Sequence, residues 1–222
     1  MALLHEQALA DVVAVDRASA ITLPPELDGL PFPGEPLGCA MNVFARSEIR
    51  AGTTVAVVGA GFLGLLLVQL CVGAGARTLV FSRRGTGLEL ARSFGAETPE
   101  ARVVESCDVV VETGGRQETL DLASPLPRVR GRLVLAGFHQ DGPRTVDVQS
   151  WNWRGLDVVN AHERDPALYR EGIRAAVRAV AGGQLDPGPL YTHVLPLARL
   201  DDGFRLASER PDGFVKALVT LQ

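Results

Sequence analysis

A glycine-rich turn is the part of the sequence best suited to chemistry. The strand-like run Thr54–Val58 is followed directly by Gly59, Gly61 and Gly64, the spacing G-x-G-x-x-G. The first glycine permits a tight turn, the second lets the backbone approach a pyrophosphate, and the third allows a helix to pack closely on the strand. The helix that begins there offers unpaired N–H groups to a phosphate. Because strand, turn and helix follow in this order, the pattern predicts a dinucleotide-binding site.

The end of the next strand-like run indicates which dinucleotide is bound. A site selective for NAD usually places Asp or Glu about 20 residues after the turn, where it binds the ribose 2′-hydroxyl. The chain instead has Ser82, Arg83 and Arg84 there. No carboxylate would repel a 2′-phosphate, and an arginine can hold one in a bidentate ion pair. The sequence favours NADP(H). The alternative is two solvated surface arginines, in a chain whose only lysine is Lys216.

Strand-like runs and helical segments alternate from about residue 51 onward. Short apolar, β-branched runs are typical of strands buried on both faces, and they occur at Thr54–Val58, Thr78–Ser82, Asp108–Glu112, Arg132–Gly137 and Leu156–Asn160. Helical segments occur at Phe62–Val72, Leu88–Phe94, Gln117–Ala123 and Pro166–Ala181. The alternation predicts an α/β fold, a doubly wound parallel Rossmann sheet with helices on both faces.

The two ends of the chain differ from this alternating part. Their segments are a strand-like run at Ala8–Val15, a proline-rich connection, a strand at Thr192–Leu195, a helix at Leu197–Ser208 and a strand at Phe214–Leu221. We predict that the two ends meet. Residues 1–37 and 188–222 would then form a small second lobe, beside a Rossmann domain of residues 38–187.

Composition excludes several classes of protein. The chain has 222 residues, 46% of them hydrophobic, and a net charge of −4. No basic run indicates a nucleic acid or an anionic membrane as partner, and no apolar stretch is long enough to span a bilayer. No signal peptide is evident at the N-terminus. The three cysteines lack C-x-x-C spacing, which favours a cytoplasmic protein with reduced thiols.

Five further blocks carry a family resemblance. They are Gly34–Ala40 (GEPLGCA), Arg50–Gly61 (RAGTTVAVVGAG), Asp108–Gly114 (DVVVETG), Gly131–Gly137 (GRLVLAG) and Gly213–Ala217 (GFVKA). In order and spacing they resemble the medium-chain dehydrogenase/reductase superfamily, the zinc-type alcohol and polyol dehydrogenases. The resemblance covers nearly the whole chain. It implies a nicotinamide cofactor, a small-molecule substrate and a homodimer joined through the edge near Leu156–Asn160.

The resemblance also implies roles for single residues. Leu63 would pack behind the nicotinamide ring, Thr113 and Gly114 would contact the cofactor, and the backbone at Ala136–Phe138 would receive the carboxamide. Lys216 matches a basic position that approaches the pyrophosphate, the alternative being an exposed charge at a strand end. The predicted cofactor-binding set is Gly59, Gly61, Phe62, Leu63, Gly64, Ser82, Arg83, Arg84, Thr113, Gly114, Gly137 and Lys216.

The sequence departs from that family in its zinc ligands. Family members carry a GroES-like catalytic domain whose Cys and Gly-His-Glu motif bind zinc, and this chain lacks most of that domain and the four-cysteine structural zinc lobe. Glu35 matches a ligand position of polyol-type members. Catalytic zinc needs three protein ligands and an open position, so Glu35 is interpreted as a carboxylate at the start of a helix. We therefore predict no metal site.

Proton chemistry would then fall to other side chains. His139 follows one predicted strand and His162-Glu163 follows the next, at the carboxyl edge where open α/β sheets bind ligands. His193 lies in the predicted second lobe. Histidine suits general acid–base chemistry near neutral pH. For each of these residues the alternative is a structural or surface role.

The sequence supports three interpretations of function. The first is a zinc-independent, NADPH-dependent oxidoreductase acting on a carbonyl or conjugated alkene of a small molecule. The second is a non-redox enzyme, such as a cyclase or isomerase, since one fold serves many reactions. The third is an NADPH-binding subunit whose partner supplies the missing lobe. A fragment of a longer protein is a further alternative.

Overall fold

The computed structural model describes residues 2–3, 14–101 and 103–220. Its strands are β1 (Ala2–Leu3), β2 (Ala20–Ile21), β3 (Thr54–Val58), β4 (Arg77–Phe81), β5 (Cys107–Glu112), β6 (Pro127–Leu135), β7 (Asp157–Asn160), β8 (His193–Pro196) and β9 (Ala217–Thr220). Its α-helices are α1 (Gly34–Ser47), α2 (Phe62–Gly73), α3 (Gly85–Ser93), α4 (Gln117–Ala123), α5 (Val148–Arg154), α6 (Pro166–Ala181) and α7 (Leu200–Glu209). No helix in these ranges is long and apolar enough to cross a membrane.

Five of the strands form one parallel sheet in the order β4-β3-β5-β6-β7. A dinucleotide-binding sheet has the strand order 3-2-1-4-5-6. The five strands here correspond to 2-1-4-5-6. Among the described residues, the place of strand 3 is taken by the single residue Glu97, which pairs with Leu79 of β4. The chain passes from β3 to β4 on one side and returns to β5 on the other. Ligands bind outside the carboxyl ends of the strands at such a switch point. The predicted doubly wound parallel sheet is confirmed.

Helices cover both faces of this sheet because the buried strands are apolar on both sides. On β3, Val55 and Val57 pack with α1, α2, α3 and α6 on one face. Ala56 and Val58 of the same strand pack with α4 and α5 on the other face. The helix α5 is an addition to the predicted elements. It is held by Arg154, which is 5% exposed and donates to the carbonyl of Pro127 at 3.0 Å.

The two ends form separate two-stranded sheets. β1 pairs antiparallel with β2, and β8 pairs in parallel with β9. The Tyr191 hydroxyl donates to the carbonyl of Pro31 at 3.4 Å and so joins the two ends. Residues 8–13 of the predicted strand Ala8–Val15 lie outside the described residues. The predicted domain boundary between residues 37 and 38 falls inside α1; the division into domains otherwise stays a prediction.

Candidate functional site

The glycine-rich turn lies at the switch point between β3 and β5. Gly59 has a φ of +111°, and a Cβ there would lie 2.6 Å from the Thr113 hydroxyl. A Cβ on Gly64 would lie 1.9 Å from the carbonyl oxygen of Gly59, so α2 packs on the turn as only glycine allows. A Cβ on Gly61 would meet nothing within 4 Å. The open space beside Gly61, at the start of α2, fits a phosphate group.

A cleft of about 390 Å³ opens in front of this turn. One wall is the turn and the start of α2, and the other is formed by α7, β9 and the segment before β9. Its cationic residues are Arg84, Arg210 and Lys216, and no Asp or Glu lines it. The lining includes these members of the predicted cofactor set: Gly61, Phe62, Leu63, Gly64, Arg84, Thr113 and Lys216. Such a cleft suits an anionic ligand with an apolar portion.

The two arginines after β4 differ in their contacts. Arg83 is exposed, and its side chain makes no hydrogen bond within the described residues. The Arg84 guanidinium donates to the main-chain carbonyls of Pro211, at 3.2 Å, and Phe214. Ser82 accepts the Arg84 N–H at 3.1 Å through its hydroxyl oxygen. Arg84 therefore ties the C-terminal wall of the cleft to the Rossmann sheet, whereas Arg83 lies outside the lining of the cleft.

Lys216 lies inside the cleft rather than at an exposed strand end. Its ammonium group is 5.2 Å from the centre of the Phe62 ring, a cation–π contact. Phe62 packs in turn against Tyr191, with ring centres 6.2 Å apart. Burial raises the pKa of Tyr191 to about 12. The two aromatic rings hold the ammonium group near the first turn of α2.

The remaining predicted cofactor residues lie on the loops after β5 and β6. The Thr113 hydroxyl donates toward the carbonyls of Val58, at 3.1 Å, and Gly59, at 3.0 Å, and so joins the loop after β5 to the glycine turn. Gly114 and Gly137 lie outside the lining of the cleft. They stand at the carboxyl ends of β5 and β6, beside the turn, as the sequence places them.

His139 is held inside a network of hydrogen bonds. Its Nε2 lies 3.1 Å from Glu112 Oε2, and Arg144 Nε donates to its Nδ1 at 2.9 Å. Since Nδ1 accepts, the ring proton is on Nε2 and faces Glu112. Both ring nitrogens are therefore engaged, and His139 fits a structural role better than the predicted role in proton transfer.

The other three predicted acid–base residues lie in different surroundings. His162 is exposed and stacks on Phe138, with ring centres 5.9 Å apart. Glu163 accepts the main-chain N–H groups of Arg164 and Asp165, which lowers its pKa. His193 lies in the C-terminal lobe. These residues do not converge on the cleft, and their catalytic assignment stays a prediction.

His193 makes local contacts within the C-terminal lobe. Its Nδ1 is 3.0 Å from the Thr192 hydroxyl, and its ring packs on Phe214 at 5.3 Å. Phe214 in turn lines the cleft. His193 therefore supports the cleft wall from behind.

Glu35 and Cys39 are neighbours on α1. Burial, and next the charge of Glu35, raise the pKa of Cys39 to about 11. A thiol with a raised pKa stays protonated near neutral pH and is a poor nucleophile. Among the described residues, no group of three or more His, Cys, Asp or Glu side chains could hold a metal ion.

Comparisons with known proteins agree with this geometry. No protein-family model matches the chain. It is 28% identical over 197 residues to 2-dehydro-3-deoxy-L-galactonate 5-dehydrogenase of Pseudoalteromonas atlantica, covering 83% of this chain and 56% of that protein. Alcohol dehydrogenase TADH from Thermus sp. ATN1 superposes with a TM-score of 0.74 at 27% identity, covering 90% of this chain and 62% of that one. The curated relatives and structural neighbours of the chain are medium-chain alcohol and polyol dehydrogenases.

A further solved structure contains a nicotinamide cofactor. A Sinorhizobium meliloti 1021 protein described as a zinc-binding dehydrogenase, solved bound to NADP, superposes with a TM-score of 0.75 at 27% identity. That match covers 92% of this chain and 63% of the other. The chain thus spans 56% to 63% of the length of these three proteins. The resemblance predicted from the sequence blocks is confirmed.

Sequence reasoning missed several residues that shape the site. Phe204 of α7 and Arg210, the residue after α7, line the cleft, and Glu112 and Arg144 contact His139. The amphipathic pattern of α7 could have shown that it presents a face to a neighbour. The local sequence does not mark Glu112 or Arg144, because the contacts that join the two loops, Glu112 to His139 and Arg144 to Gly115, span 27 and 29 residues.

Proposed function

We propose that the chain is an NADP(H)-dependent oxidoreductase that acts, without zinc, on a carbonyl or conjugated alkene of a small molecule. The cleft at the glycine turn carries this proposal, because it is lined by three cations and no carboxylate. A dinucleotide bearing a pyrophosphate and a 2′-phosphate has complementary charge. The dehydrogenase relatives support hydride transfer as the reaction class.

The residues that would hold the cofactor are assigned from the contacts above. The N–H groups at the start of α2 and the ammonium of Lys216 would bind the pyrophosphate. Arg83, next to Arg84 in the chain but outside the lining of the cleft, would bind the 2′-phosphate, since Arg84 already donates to the C-terminal segment. Leu63 and Thr113 would flank the nicotinamide end. When bound, the nicotinamide supplies or accepts a hydride.

A proton donor completes the reduction of a carbonyl. Of the four predicted acid–base residues, His162 is the one with an exposed ring and no hydrogen bond within the described residues. It follows β7 at the carboxyl edge of the sheet and is fixed in orientation by Phe138. We assign it as the candidate proton donor.

Calorimetric titration with NADPH, NADP⁺ and NADH tests the cofactor assignment. We expect Arg83→Ala to weaken NADPH binding by about 10- to 100-fold, the value of one charge-assisted bidentate contact, with no change for NADH. Arg50→Ala, which removes another arginine outside the cleft, is the matched control. Arg84→Ala should weaken all three nucleotides alike, because it releases the wall of the cleft.

Two outcomes would contradict the proposal. If wild-type protein binds none of the three nucleotides, the oxidoreductase assignment fails. If Arg83→Ala weakens NADH and NADPH equally, Arg83 does not read the 2′-phosphate.

A second candidate is an NADPH-binding subunit completed by a partner. Apolar side chains on the C-terminal lobe favour it, since Phe204 is 62% and Val194 60% exposed. Such exposure is typical of surfaces that are covered in an assembly. NADPH binding without turnover across a panel of ketones, aldehydes and enones would favour the subunit over the enzyme.

We also propose a cytoplasmic homodimer joined through β7. This strand is at the edge of the sheet and exposes Val158, so its unpaired main-chain groups can extend the sheet into a second copy. Cys39, Cys71 and Cys107 are free thiols, as in a reducing compartment. Analytical ultracentrifugation of wild type and of a Val158→Arg variant tests the interface.

A further inference from the structure

Two loops at the carboxyl edge of the sheet meet at one buried carboxylate. The first loop follows β5 and carries Thr113 and Gly114. The second follows β6 and carries Gly137 and Phe138. Glu112, the last residue of β5, lies between them with a fully buried side chain. A buried charge persists only where hydrogen bonds satisfy it, so its partners define its role.

The side chain of Glu112 binds the first loop with one oxygen and the second with the other. Oε1 accepts the N–H groups of Gly114, at 2.7 Å, and Gly115, at 2.8 Å. It also accepts the Thr119 hydroxyl at 2.6 Å. Oε2 accepts from His139 Nε2 at 3.1 Å. One carboxylate thus joins the two loops.

The main chain of Glu112 adds to this junction. Its carbonyl oxygen accepts the N–H groups of both Ala136 and Gly137, each at 2.8 Å. A Cβ on Gly137 would lie 2.2 Å from the Gly115 nitrogen and 2.7 Å from Glu112 Oε2. The loops are therefore in direct contact, and neither can shift without breaking a bond to Glu112.

Arg144 closes the network from outside. It donates to His139 Nδ1 at 2.9 Å and to the carbonyl of Gly115 at 2.9 Å, and it pairs with Asp141. Since Arg144 only donates, His139 Nδ1 must accept and Nε2 must donate. The atom facing His139 must therefore be an acceptor, as a carboxylate oxygen is.

We propose that Glu112 is a positioning residue, which holds the loops after β5 and β6 in the arrangement that receives the nicotinamide end of the cofactor. The inference rests on the proposed function for the identity of the ligand. His139 belongs to this clamp and transfers no proton in the reaction. Glu112 acts through Gly114 and Gly137, and it leaves the adenosine end of the cleft unaffected.

The near-isosteric change Glu112→Gln breaks the clamp. An amide can present its oxygen to Gly114 and Gly115, but its NH₂ group then faces the His139 N–H. The other tautomer of His139 would place a proton against Arg144. No arrangement satisfies all the donors, so the second loop loses its side-chain bond to residue 112 and keeps the two main-chain bonds, which loosens it.

Binding of two ligands by the full chain separates positioning from general damage. We expect Glu112→Gln to weaken NADPH binding by about tenfold, the value of roughly one lost hydrogen bond to a charged group. Adenosine 2′,5′-bisphosphate, which lacks the nicotinamide half, should bind within twofold of wild type. Asp108→Asn is the matched control, a carboxylate at the other end of β5, and should leave both ligands unaffected.

Amide hydrogen exchange tests the clamp without a ligand. In Glu112→Gln, exchange at Gly137 in the second loop should be faster, while exchange in β3 and at Gly114 and Gly115, whose N–H groups the amide oxygen still accepts, should not change. If the variant does not fold, His139→Leu serves instead and should release the second loop alone. Unchanged exchange, or equal weakening of both ligands, overturns the positioning role. Failure of wild type to bind any nucleotide would overturn the proposed function instead, and the clamp is then judged by exchange.

Discussion

The two ends of β5 carry similar carboxylates in different settings. At the amino end, Asp108 accepts the N–H of Thr54 at 2.8 Å and Arg128 Nε at 2.6 Å, with its side chain 31% exposed. At the carboxyl end, Glu112 is fully buried and accepts from four groups. Water can replace the partners of Asp108 but has no access to Glu112. A hydrogen-bonded carboxylate therefore holds β5 to the start of β3 at the amino edge of the sheet, and at the carboxyl edge it holds the loops of the candidate site.

The largest effect on stability should come from removing the Glu112 carboxylate, and removal of the Asp108 carboxylate is the comparison. Glu112→Ala leaves several buried donors without an acceptor, and we expect a loss of about 3–5 kcal/mol in the free energy of unfolding. Asp108→Ala should lose about 1 kcal/mol, because its partners are solvated. Urea titration at neutral pH measures both. Equal losses would remove the distinction between the two edges.

Gly64 and Gly61 allow a second comparison, this time between two positions at the carboxyl edge of the sheet. Gly64→Ala should lose about 1–3 kcal/mol of stability, because its Cβ would strike the Gly59 carbonyl. Gly61→Ala has open space and an allowed φ of −89°, so its stability should change little while NADPH binding weakens. Thermal unfolding and calorimetry measure the two quantities. If Gly64→Ala is as stable as wild type, α2 and the turn can move apart enough to admit a methyl group, and the tight packing is contradicted.

The smallest effect concerns the amino edge at acid pH. The N–H of Thr54 and then the Arg128 guanidinium hold the pKa of Asp108 below its ordinary value of 3.8. A lowered pKa stabilises the fold above the unfolded-state value, and this stabilisation is lost as the pH falls through the folded-state value. Wild type should therefore lose stability below about pH 4 more steeply than Asp108→Asn. Urea midpoints from pH 5 to pH 2.5 test this, and parallel curves would contradict it.

Local patterns accounted for most of the sheet and for the glycine turn. Val55–Val58 is continuously apolar and Gly59 follows it, so strand, turn and helix were predictable from adjacent residues. Glu112 was not, since a glutamate ending an apolar run is equally typical of an exposed strand end. Its partner His139 lies 27 residues away. Such pairs depend on the register of β5 against β6, which no local pattern fixes.

Arg84 shows the same limit. The sequence offers Arg83 or Arg84 for the 2′-phosphate, because both follow the second strand of the sheet. In the structure the Arg84 guanidinium donates to main-chain carbonyls of the segment before β9. One of them belongs to Phe214, 130 residues away. Lys216 lies in the lining of the cleft, and its contact with Phe62 depends on the packing of the C-terminal lobe. Long-range packing decides which of several similar cations stays available.

The single β-bridge at Glu97 makes the two outer strands of the sheet, β4 and β7, unequal. It covers the middle of β4, where Val80 N–H donates to its carbonyl at 2.8 Å, and Arg77 pairs with its carboxylate. β7 has no such cover among the described residues. Because the outer side of β4 is partly covered, it is less able to pair with β7 of another copy. Such head-to-tail pairing would continue from copy to copy into an open filament. Pairing of β7 with β7 closes after two copies, so the asymmetry itself limits how far this sheet can be extended.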